Sequence, residues 1–368
     1  MQMQFLSILY SIVLFTACSK TVTSDENLPA NLDVTYEISE STTGLVSFSA
    51  MADNTIEYQL FTGDPNNTDP IISNDGNFEH QYTILETYNV EIRAVGANDR
   101  YLKKNFQITF PTDESIDLSK GYSSPLSYEG MELIWNDEFD GNSLNEEFWT
   151  FEIGDGCPNL CGWGNNELEY YTKENLTVSE GVAKIEAKKQ SLGNREYTSS
   201  RVITRDKFFF TYGRVDFRAL LPEGQGIWPA LWMLGQNQST VGWPKCGEVD
   251  IMEKIGGNNN ENKSYGNVFW DNNGVNDFLG NYTLPQGTFD DEFHVFSITW
   301  DENNIKWYVD DVEFHSFSIA TSDRTEFHED FFLIMNVAVG GNWPGSPDNS
   351  TIFPTSMYID YVRVFQKQ

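Results

Sequence analysis

Basic residues are scarce in this chain of 368 residues, in which 23 lysines and arginines stand against 55 aspartates and glutamates for a formal net charge of −32. A field of that sign repels phosphate backbones and anionic lipid head groups. It therefore excludes nucleic acid as a partner and disfavours a sulfated polymer as a substrate. A neutral partner fits this charge best.

The chain also lacks long apolar runs at helical spacing and any motif for a nucleotide, a flavin or a redox cofactor. Hydrophobic residues make up 39% of it and aromatic residues 14%, enough for a large core. Short stretches of alternating apolar and polar residues recur between turn-forming residues. This pattern predicts an all-β protein.

Only four cysteines occur, which is too few for a cysteine-rich metal site. In an oxidising compartment Cys157, Cys161 and Cys246 would give one pair and one cysteine left over. Cys157 and Cys161 lie close enough in sequence to staple a small loop, although their spacing alone does not fix the pairing. Cys246 lacks the histidine and asparagine context of a nucleophile and is interpreted as structural.

The apolar run at residues 5–17 is too short to span a bilayer and has the length of a signal-peptide core. It ends in Leu-Phe-Thr-Ala-Cys, which resembles a bacterial lipoprotein cleavage box with Cys18 as the lipidated residue. We therefore expect a signal peptide at 1–18, a polar tether at 19–27 and export to a lipid-anchored position at the bacterial cell surface or outer membrane. An ordinary signal peptide with a chance cysteine would make the protein secreted or periplasmic instead.

Three segments follow the tether. Residues 28–111 contain short alternating strands, most clearly at 88–95, and resemble a polycystic-kidney-disease-like module, an immunoglobulin-like β-sandwich. Residues 112–128 are polar, with paired serines and a proline, as in a linker. Regularly spaced strands with frequent tryptophan fill residues 129–368 and predict one two-sheet jelly-roll sandwich. Within it, Asp310-Asp311 between two alternating runs predicts a hairpin.

The most informative segment reads Gly-Glu-Val-Asp-Ile-Met-Glu at 247–253, with three carboxylates in an apolar, strand-like run. Acids in such a strand are costly to bury unless they have a chemical task. Glu248 and Asp250 would share one face of a strand, whereas Glu253 falls on the other. A β-bulge near Ile251-Met252 would return Glu253 to the face of the other two.

With the bulge, Glu248 and Glu253 would flank one groove at about 5–5.5 Å, the separation that suits glycosidic cleavage with retained configuration. Glu248 would then be the nucleophile and Glu253 the general acid and later the base. Asp250 lies between them and would help to hold Glu253 protonated.

Tryptophans on either side of this segment indicate a glycan cleft. Trp228 and Trp232 precede the acidic strand, where packing in the core is the alternative interpretation for either one alone. Trp163 and Trp343 lie in loops rich in glycine and asparagine. Flat aromatic rings stack on the apolar faces of sugars, so exposed tryptophans beside amides are typical of sugar binding.

Taken together, these motifs resemble glycoside hydrolase family 16 over residues 133–365. The resemblance is carried by GEVDIME at 247–253, WPALWM at 228–233, GWGNNELEYYT at 162–172, FHVFS at 293–297 and FLIMNVAVGGNWPG at 332–345. The six-residue form Glu-x-Asp-x-x-Glu resembles the laminarinase branch of the family rather than the lichenase branch.

The resemblance implies a jelly roll with an open cleft and retaining endo-hydrolysis of β-1,3-glucan, a neutral polysaccharide. It assigns Glu248 as nucleophile, Asp250 as assistant and Glu253 as acid/base, with Trp228 and Trp232 as the sugar platform. Further substrate contacts are expected from Asn166, Glu167, Arg201, His294 and Trp343. No cofactor is implied for catalysis, but many members bind a structural Ca²⁺, for which the matching positions are Glu138, the Gly181 carbonyl and Asp360.

One stretch departs from the family pattern, because Tyr265 and Phe269 stand where many laminarinases carry histidine. A hydrolase of the same family that acts on mixed-linkage β-glucan or on galactan therefore remains an alternative. A non-catalytic, glycan-capturing lipoprotein is another, although a pure binder has no use for three acids on one apolar strand. We expect a monomer that meets the membrane only through its lipid anchor.

Overall fold

The computed structural model describes residues 28–39, 44–110, 116–257 and 259–368. Two compact units make up the chain. The first includes Val46–His80 and Tyr88–Ile108, and the second includes Thr109–Gln368. Strands dominate both units, and no helix in the described residues is longer than four residues, so the predicted all-β fold is confirmed. None of the helices found there is long and apolar enough to cross a membrane.

Several of the sequence predictions fall outside these described ranges. The signal peptide at 1–18, the tether at 19–27 and the lipidated Cys18 are among them. Export and lipid anchoring therefore stay predictions.

The first unit contains two sheets, one with the order β1-β2-β5 and the other with the order β4-β3-β6-β7, in which the pairs β1–β2, β3–β4 and β3–β6 are antiparallel. Its strands are β1 (Ala30–Ile38), β2 (Leu45–Asp53), β3 (Glu57–Phe61), β4 (Ile71–Ser73), β5 (Asn77–Gln81), β6 (Thr87–Val95) and β7 (Tyr101–Thr109), with a 3₁₀ turn at Ala97–Asp99. In β6 the buried residues alternate as the sequence predicts, with Tyr88, Val90 and Ile92 in the core. The family of this unit stays a prediction.

Two large sheets form the second unit. Sheet A has the order β11-β12-β25-β15-β21-β22-β23, with β8 also paired to β25. Its strands are β8 (Met131–Asp137), β11 (Leu176–Ser179), β12 (Val182–Ala187), β15 (Gly213–Leu220), β21 (His294–Trp300), β22 (Asn304–Val309), β23 (Val312–Ser318) and β25 (Thr355–Lys367).

Sheet B has the order β19-β18-β17-β16-β24-β14-β9, with β20 also paired to β18. Its strands are β9 (Thr150–Phe151), β14 (Arg201–Ile203), β16 (Ile227–Gly235), β17 (Glu248–Glu253), β18 (Lys263–Asp271), β19 (Val275–Asp277), β20 (Gly280–Thr283) and β24 (Phe331–Val339). A small parallel pair joins β10 (Glu169–Tyr171) to β13 (Tyr197–Ser199). Short helical turns are found at Cys161–Gly164, Gln238–Val241 and Thr325–His328.

The two sheets enclose one apolar core. Phe217, Phe296 and Trp307 enter it from sheet A, and Leu231 and Met233 enter it from sheet B. Side chains alternate between the faces of each strand, so the residues between these core positions on sheet B are free to form a second, functional face. The predicted two-sheet sandwich is confirmed.

Two local features refine the sequence analysis. β22 and β23 form the predicted hairpin, and both turn residues, Asp310 and Asp311, have positive φ (51° and 62°), as a two-residue turn of this type requires. The described part of the predicted linker is held by Arg218 of sheet A, whose buried guanidinium donates to the carbonyl oxygens of Lys120 and Tyr122 at 2.6 Å each. These residues are therefore part of the packing of the second unit.

Candidate active site

The three carboxylates lie on β17, between β16 and β18 of sheet B. Trp232 pairs with Asp250 and Ala230 pairs with Glu253, so three steps along β17 oppose two steps along β16. The same excess of one residue occurs against β18. This is the predicted bulge at Ile251-Met252, and it is confirmed. Because Ala230 and Trp232 share a face of β16, Asp250 and Glu253 share a face of β17.

The other face of β17 anchors the strand. Val249, Ile251 and Met252 are buried in the core, and Trp307 of sheet A donates its indole N–H to the backbone carbonyl of Asp250 at 2.7 Å. The carboxylates are thus carried by a strand that is fixed from behind. Oδ2 of Asp250 is buried and has no hydrogen-bond partner. It is therefore free to interact with a neighbouring carboxyl or with a ligand.

Burial raises the pKa of all three carboxyls. Repulsion from Glu253 adds to the effect on Glu248 and Asp250, and the charge of Glu167 adds to the effect on Glu253. Interacting acids on one face titrate as a set, so fewer than three negative charges are present near neutral pH. The site can therefore keep a proton at a pH at which an ordinary carboxylic acid has lost it.

Indole N–H groups oppose this shift at both ends of the set. Trp243 donates to Oε2 of Glu248 at 3.0 Å, and Trp228 donates to Oε1 of Glu253 at 2.9 Å. Each bond favours the ionised carboxylate and lowers its pKa against the effect of burial. The same bonds fix the orientation of the two carboxyl groups.

Aromatic rings surround the acids on the face of sheet B that carries them. Trp343 lies edge to face on Trp228, with ring centroids 5.7 Å apart, and 4.9 Å from the ring of Tyr265, and it is 36% exposed. Next to Glu248, Trp243 packs on Phe269 at 5.8 Å. Both tyrosine and phenylalanine positions that depart from the family pattern thus contribute rings beside the acids.

Trp232 is held by polar partners at its edge and by a cation above its ring. Its indole N–H donates to Oδ1 of Asn336 at 2.8 Å, and Asn336 donates to the hydroxyl of Tyr171 at 3.2 Å. The guanidinium carbon of Arg201 lies 4.9 Å from the centroid of Trp232 and 4.5 Å from that of Trp163. Arg201, which we predicted as a substrate contact, thus lies against the rings of the aromatic platform.

The remaining predicted contacts on this side differ in accessibility. Asn166 is exposed and donates to Oδ1 of Asn342 at 2.8 Å, which links two glycine-rich loops. Glu167 is buried, and its oxygens accept hydrogen bonds from Asn165 at 3.1 Å and from Tyr171 at 3.2 Å. Glu167 is thus part of the support behind the cleft rather than an open sugar ligand.

The cysteines form one pair and leave one unpaired, as predicted. Cys157 and Cys161 form a disulfide in the loop that precedes Trp163, and Cys246 is free and buried. Burial raises the pKa of the Cys246 thiol to about 12, which keeps it neutral and unreactive. Its structural interpretation therefore fits its surroundings.

His294 requires a correction, because the structure does not bring it to the acids. It lies in β21 of sheet A, is only 5% exposed, and pairs through Nδ1 with Asp310 at 2.7 Å. Its ring also packs edge to face on Phe289 at 5.0 Å. The FHVFS match therefore reflects the packing of sheet A and not a substrate contact.

The carboxylates predicted for calcium are engaged by arginines. Both oxygens of Glu138 accept hydrogen bonds from Arg363 at 2.8 Å, and Asp360 accepts one from Arg218 at 2.6 Å. No group of three or more histidine, cysteine or acidic residues that could hold a metal occurs in the described ranges. Both carboxylates are thus already paired with cations, and the calcium site at Glu138, Gly181 and Asp360 stays a prediction.

Sequence reasoning missed Trp243, Tyr171 and Asn336 as members of the site. Asn336 could have been identified from the sequence, since it is the lone polar residue within the apolar run of β24. Tyr171 had no such feature beyond its place in a family-like motif. The role of Trp243 depends on the path of the loop before β17, which periodicity does not reveal.

A β-sandwich that carries paired carboxyls with raised pKa values among aromatic rings is the architecture of a hydrolase for glycosidic bonds. The family comparison agrees. The model of Glycosyl hydrolases family 16 matches residues 165–363, and the chain belongs to this family.

Several characterised proteins are similar to this chain. A glucan endo-1,3-beta-glucosidase A1 from Niallia circulans is 39% identical over 68% of this chain but over only 40% of its own length. A beta-glucanase from Rhodothermus marinus is 40% identical over 64% of this chain and 85% of its own. Among solved structures, the laminarinase catalytic domain from Thermotoga maritima has a TM-score of 0.60 at 45% identity and covers 65% of this chain and 99% of that domain.

Proposed function

We propose that this hydrolase cuts internal β-1,3-glucosidic bonds of a laminarin-like β-glucan with retention of configuration. The observation that carries the proposal is the bulge in β17, which brings Glu253 to the face of Asp250 in a groove lined by tryptophan. The relatives from Niallia and Thermotoga, a glucan endo-1,3-beta-glucosidase and a laminarinase, support the choice of linkage. The strongly negative chain suits such a neutral polymer.

In the first step, the Glu248 carboxylate attacks the anomeric carbon and Glu253 gives its proton to the departing glycosidic oxygen. Burial raises the pKa of Glu253 to about 7 and that of Glu248 to about 8, so the interacting carboxyls together keep a proton available near neutral pH for the leaving group. In the second step, Glu253 removes a proton from water, which attacks the glycosyl-enzyme and releases Glu248.

The change of role follows from the charge on Glu248. Glu248 and Glu253 repel each other when both are ionised, which contributes to the raised pKa of Glu248. Once Glu248 is esterified by the sugar, that repulsion is gone and the proton on Glu253 is easier to lose. Asp250 is buried beside both, and its raised pKa and free Oδ2 suit a neutral carboxyl that hydrogen-bonds one of them.

Substrate binding would use the aromatic rings beside the acids. Trp228 lies next to Glu253 and Trp343 packs on Trp228, and both offer ring faces to sugars. Trp232 is held in place through Asn336 and Arg201. The exposed Asn166 would contribute a hydrogen bond at the rim.

A mixed-linkage or galactan substrate is the second candidate. Two observations favour keeping it: the rings of Tyr265 and Phe269 beside the acids, and the similar protein from Rhodothermus marinus, which is a beta-glucanase. A third candidate, glycan capture without cleavage, gains support from a beta-1,3-glucan-binding protein of Penaeus monodon that is 34% identical over 45% of this chain.

The test is the release of reducing ends from laminarin, lichenan and agarose by the purified protein, beside Glu248→Gln and Glu253→Gln. We expect laminarin to be cut fastest, each variant to lose at least about 10³-fold in kcat, and proton NMR to show the β-anomer first. Cleavage of lichenan or agarose alone would refute the β-1,3 assignment. Binding of laminarin without cleavage of any polymer would refute the hydrolase and favour capture.

A further inference from the structure

Two buried acids, Glu167 and Glu169, lie behind the cleft at the start of β10, and the reaction proposed above uses neither of them. The side chain of Glu169 is fully buried, with 0% exposure. Its Oε2 accepts the backbone N–H of Val339 at 2.7 Å, whereas its Oε1 has no donor. A buried carboxyl oxygen without a donor is costly if the group is ionised.

Glu167 has the opposite environment, because a chain of hydrogen bonds ends on it. Trp232 donates to Asn336 at 2.8 Å, Asn336 donates to Tyr171 at 3.2 Å, and Tyr171 donates to Oε2 of Glu167 at 3.2 Å. Asn165 donates to Oε1 of the same carboxyl at 3.1 Å. Burial raises the pKa of Glu167, but the charge of Arg201 and these donors lower it, so the donors favour the ionised carboxylate.

The charged groups around the pair can balance one negative charge but not two. Arg201 is the cation that acts on Glu167, and it also donates to Glu152 at 2.6 Å. Arg195 reaches only the backbone carbonyl of Glu167, at 2.8 Å, and pairs with Asp155. The phenol of Tyr171 and the carboxyl of Glu253 are further titratable groups that interact with the pair.

These conditions leave the proton on Glu169. Burial raises the pKa of Glu169 well above its usual range, and the charge of Glu167 adds to the effect. A neutral Glu169 accepts the Val339 N–H with one oxygen and donates an O–H with the other. That assignment satisfies the oxygen that otherwise has no partner.

We propose that Glu169 is a positioning residue that stays protonated in the working enzyme and donates its carboxyl proton in a hydrogen bond to Glu167. The bond fixes Glu167 at the end of the chain of donors, and through Tyr171 and Asn336 it holds the indole of Trp232 in the platform. It also keeps Glu167 ionised, and that charge helps Glu253 to retain its proton. The catalytic part of this proposal rests on the proposed function.

The test compares Glu169→Gln, which keeps one acceptor and one donor, with Glu169→Met, which keeps only the volume. We expect Glu169→Gln to stay within about threefold of the parent in kcat/KM on laminarin, with an unchanged pH profile. Glu169→Met should lower kcat/KM about tenfold or more. It should also move the alkaline limit of activity to lower pH, because Glu167 without its donor is protonated more readily and its charge no longer helps Glu253 to keep a proton. An equal loss in both variants, or a shifted profile in Glu169→Gln, would overturn the proposal.

A second measurement needs neither turnover nor a folded methionine variant. At neutral pH, the difference infrared spectrum of the parent minus Glu169→Gln should contain the C=O stretch of one protonated carboxylic acid. Its absence would show that Glu169 is ionised and would overturn the proposal. If the parent cuts no glucan, the proposed function fails, but this band still decides the state of Glu169.

Discussion

Trp228 donates its indole N–H to Oε1 of Glu253 at 2.9 Å, and the same ring forms the aromatic wall with Trp343. One side chain thus offers a surface to the sugar and adjusts the proton affinity of the proposed general acid. The two tasks can be separated, because phenylalanine keeps a ring face but has no N–H.

Replacement Trp228→Phe should move the alkaline limit of kcat/KM to higher pH. The lost bond stabilised the ionised form of Glu253, so its pKa rises and the acid stays protonated further into the alkaline range. A bond worth about 0.5–1.5 kcal/mol corresponds to up to about one pH unit. The measurement is a pH profile on laminarin beside Trp343→Phe, which changes the wall without touching Glu253. Equal shifts in both variants would contradict the assignment.

At the other end of the three carboxyls, beside Glu248, Trp243→Phe should change the acidic limit of the pH profile of kcat/KM. Trp243 stabilises the ionised form of Glu248, so its loss raises the pKa of Glu248. The proposed nucleophile must be ionised to attack, and the acidic limit of kcat/KM should therefore move to higher pH by up to about one unit. Because Trp243 is 47% exposed, we expect its replacement to leave the melting temperature nearly unchanged. An acidic limit at its original pH in a folded variant would remove Trp243 from the site.

The buried acids should also lower the free energy of unfolding, by an amount that depends on pH. The folded pKa of Glu253 lies above its unfolded value of about 4.3, so the unfolded chain loses its proton first as pH rises. The free energy of unfolding therefore falls between about pH 4.3 and the folded pKa, by roughly 1.4 kcal/mol for each pH unit that separates the folded pKa from the unfolded one. Glu253→Gln removes this penalty.

We thus expect Glu253→Gln to melt at a higher temperature than the parent at about pH 8, with the difference shrinking towards about pH 4. Glu147→Gln is the matched control, because it changes the net charge equally at an exposed position. Equal stabilisation by both variants would point to net charge rather than to buried acids.

Which features the sequence could predict depended on how far apart in the chain the interacting residues lie. Side-chain parity along one strand is local, and it was enough to predict both the bulge and the common face of the acids. The support of Trp232 by Asn336 joins neighbouring strands that are far apart in sequence, so no local pattern could reveal it. His294 was misassigned because a motif records similarity without saying which sheet carries it. The arginine partners of Glu138 and Asp360 depend in the same way on the assembled fold.

The bulge makes the sharpest prediction of all. In the pairing of β17 with β16, Met252 opposes Leu231 and Asp250 opposes Trp232, so Ile251 is the residue without a partner. Deleting Ile251 leaves Glu-Val-Asp-Met-Glu, whose strict alternation keeps all three acids on the groove face and needs no bulge.

Deleting Val249 is the matched control, because Val249 is as deeply buried as Ile251 and lies on the same strand. It leaves Glu-Asp-Ile-Met-Glu, in which Asp250 turns into the core while Glu248 and Glu253 keep their face. Both deletions remove one buried apolar side chain, and the Val249 deletion also places a carboxyl in the core, so it should cost more stability than the Ile251 deletion. We therefore expect laminarin hydrolysis by the Ile251 deletion to exceed that of the Val249 deletion by about 100-fold or more, with thermal melts to confirm that both are folded. Equal losses in two folded proteins would mean that the bulge serves the reaction in some way other than by setting the face of the acids.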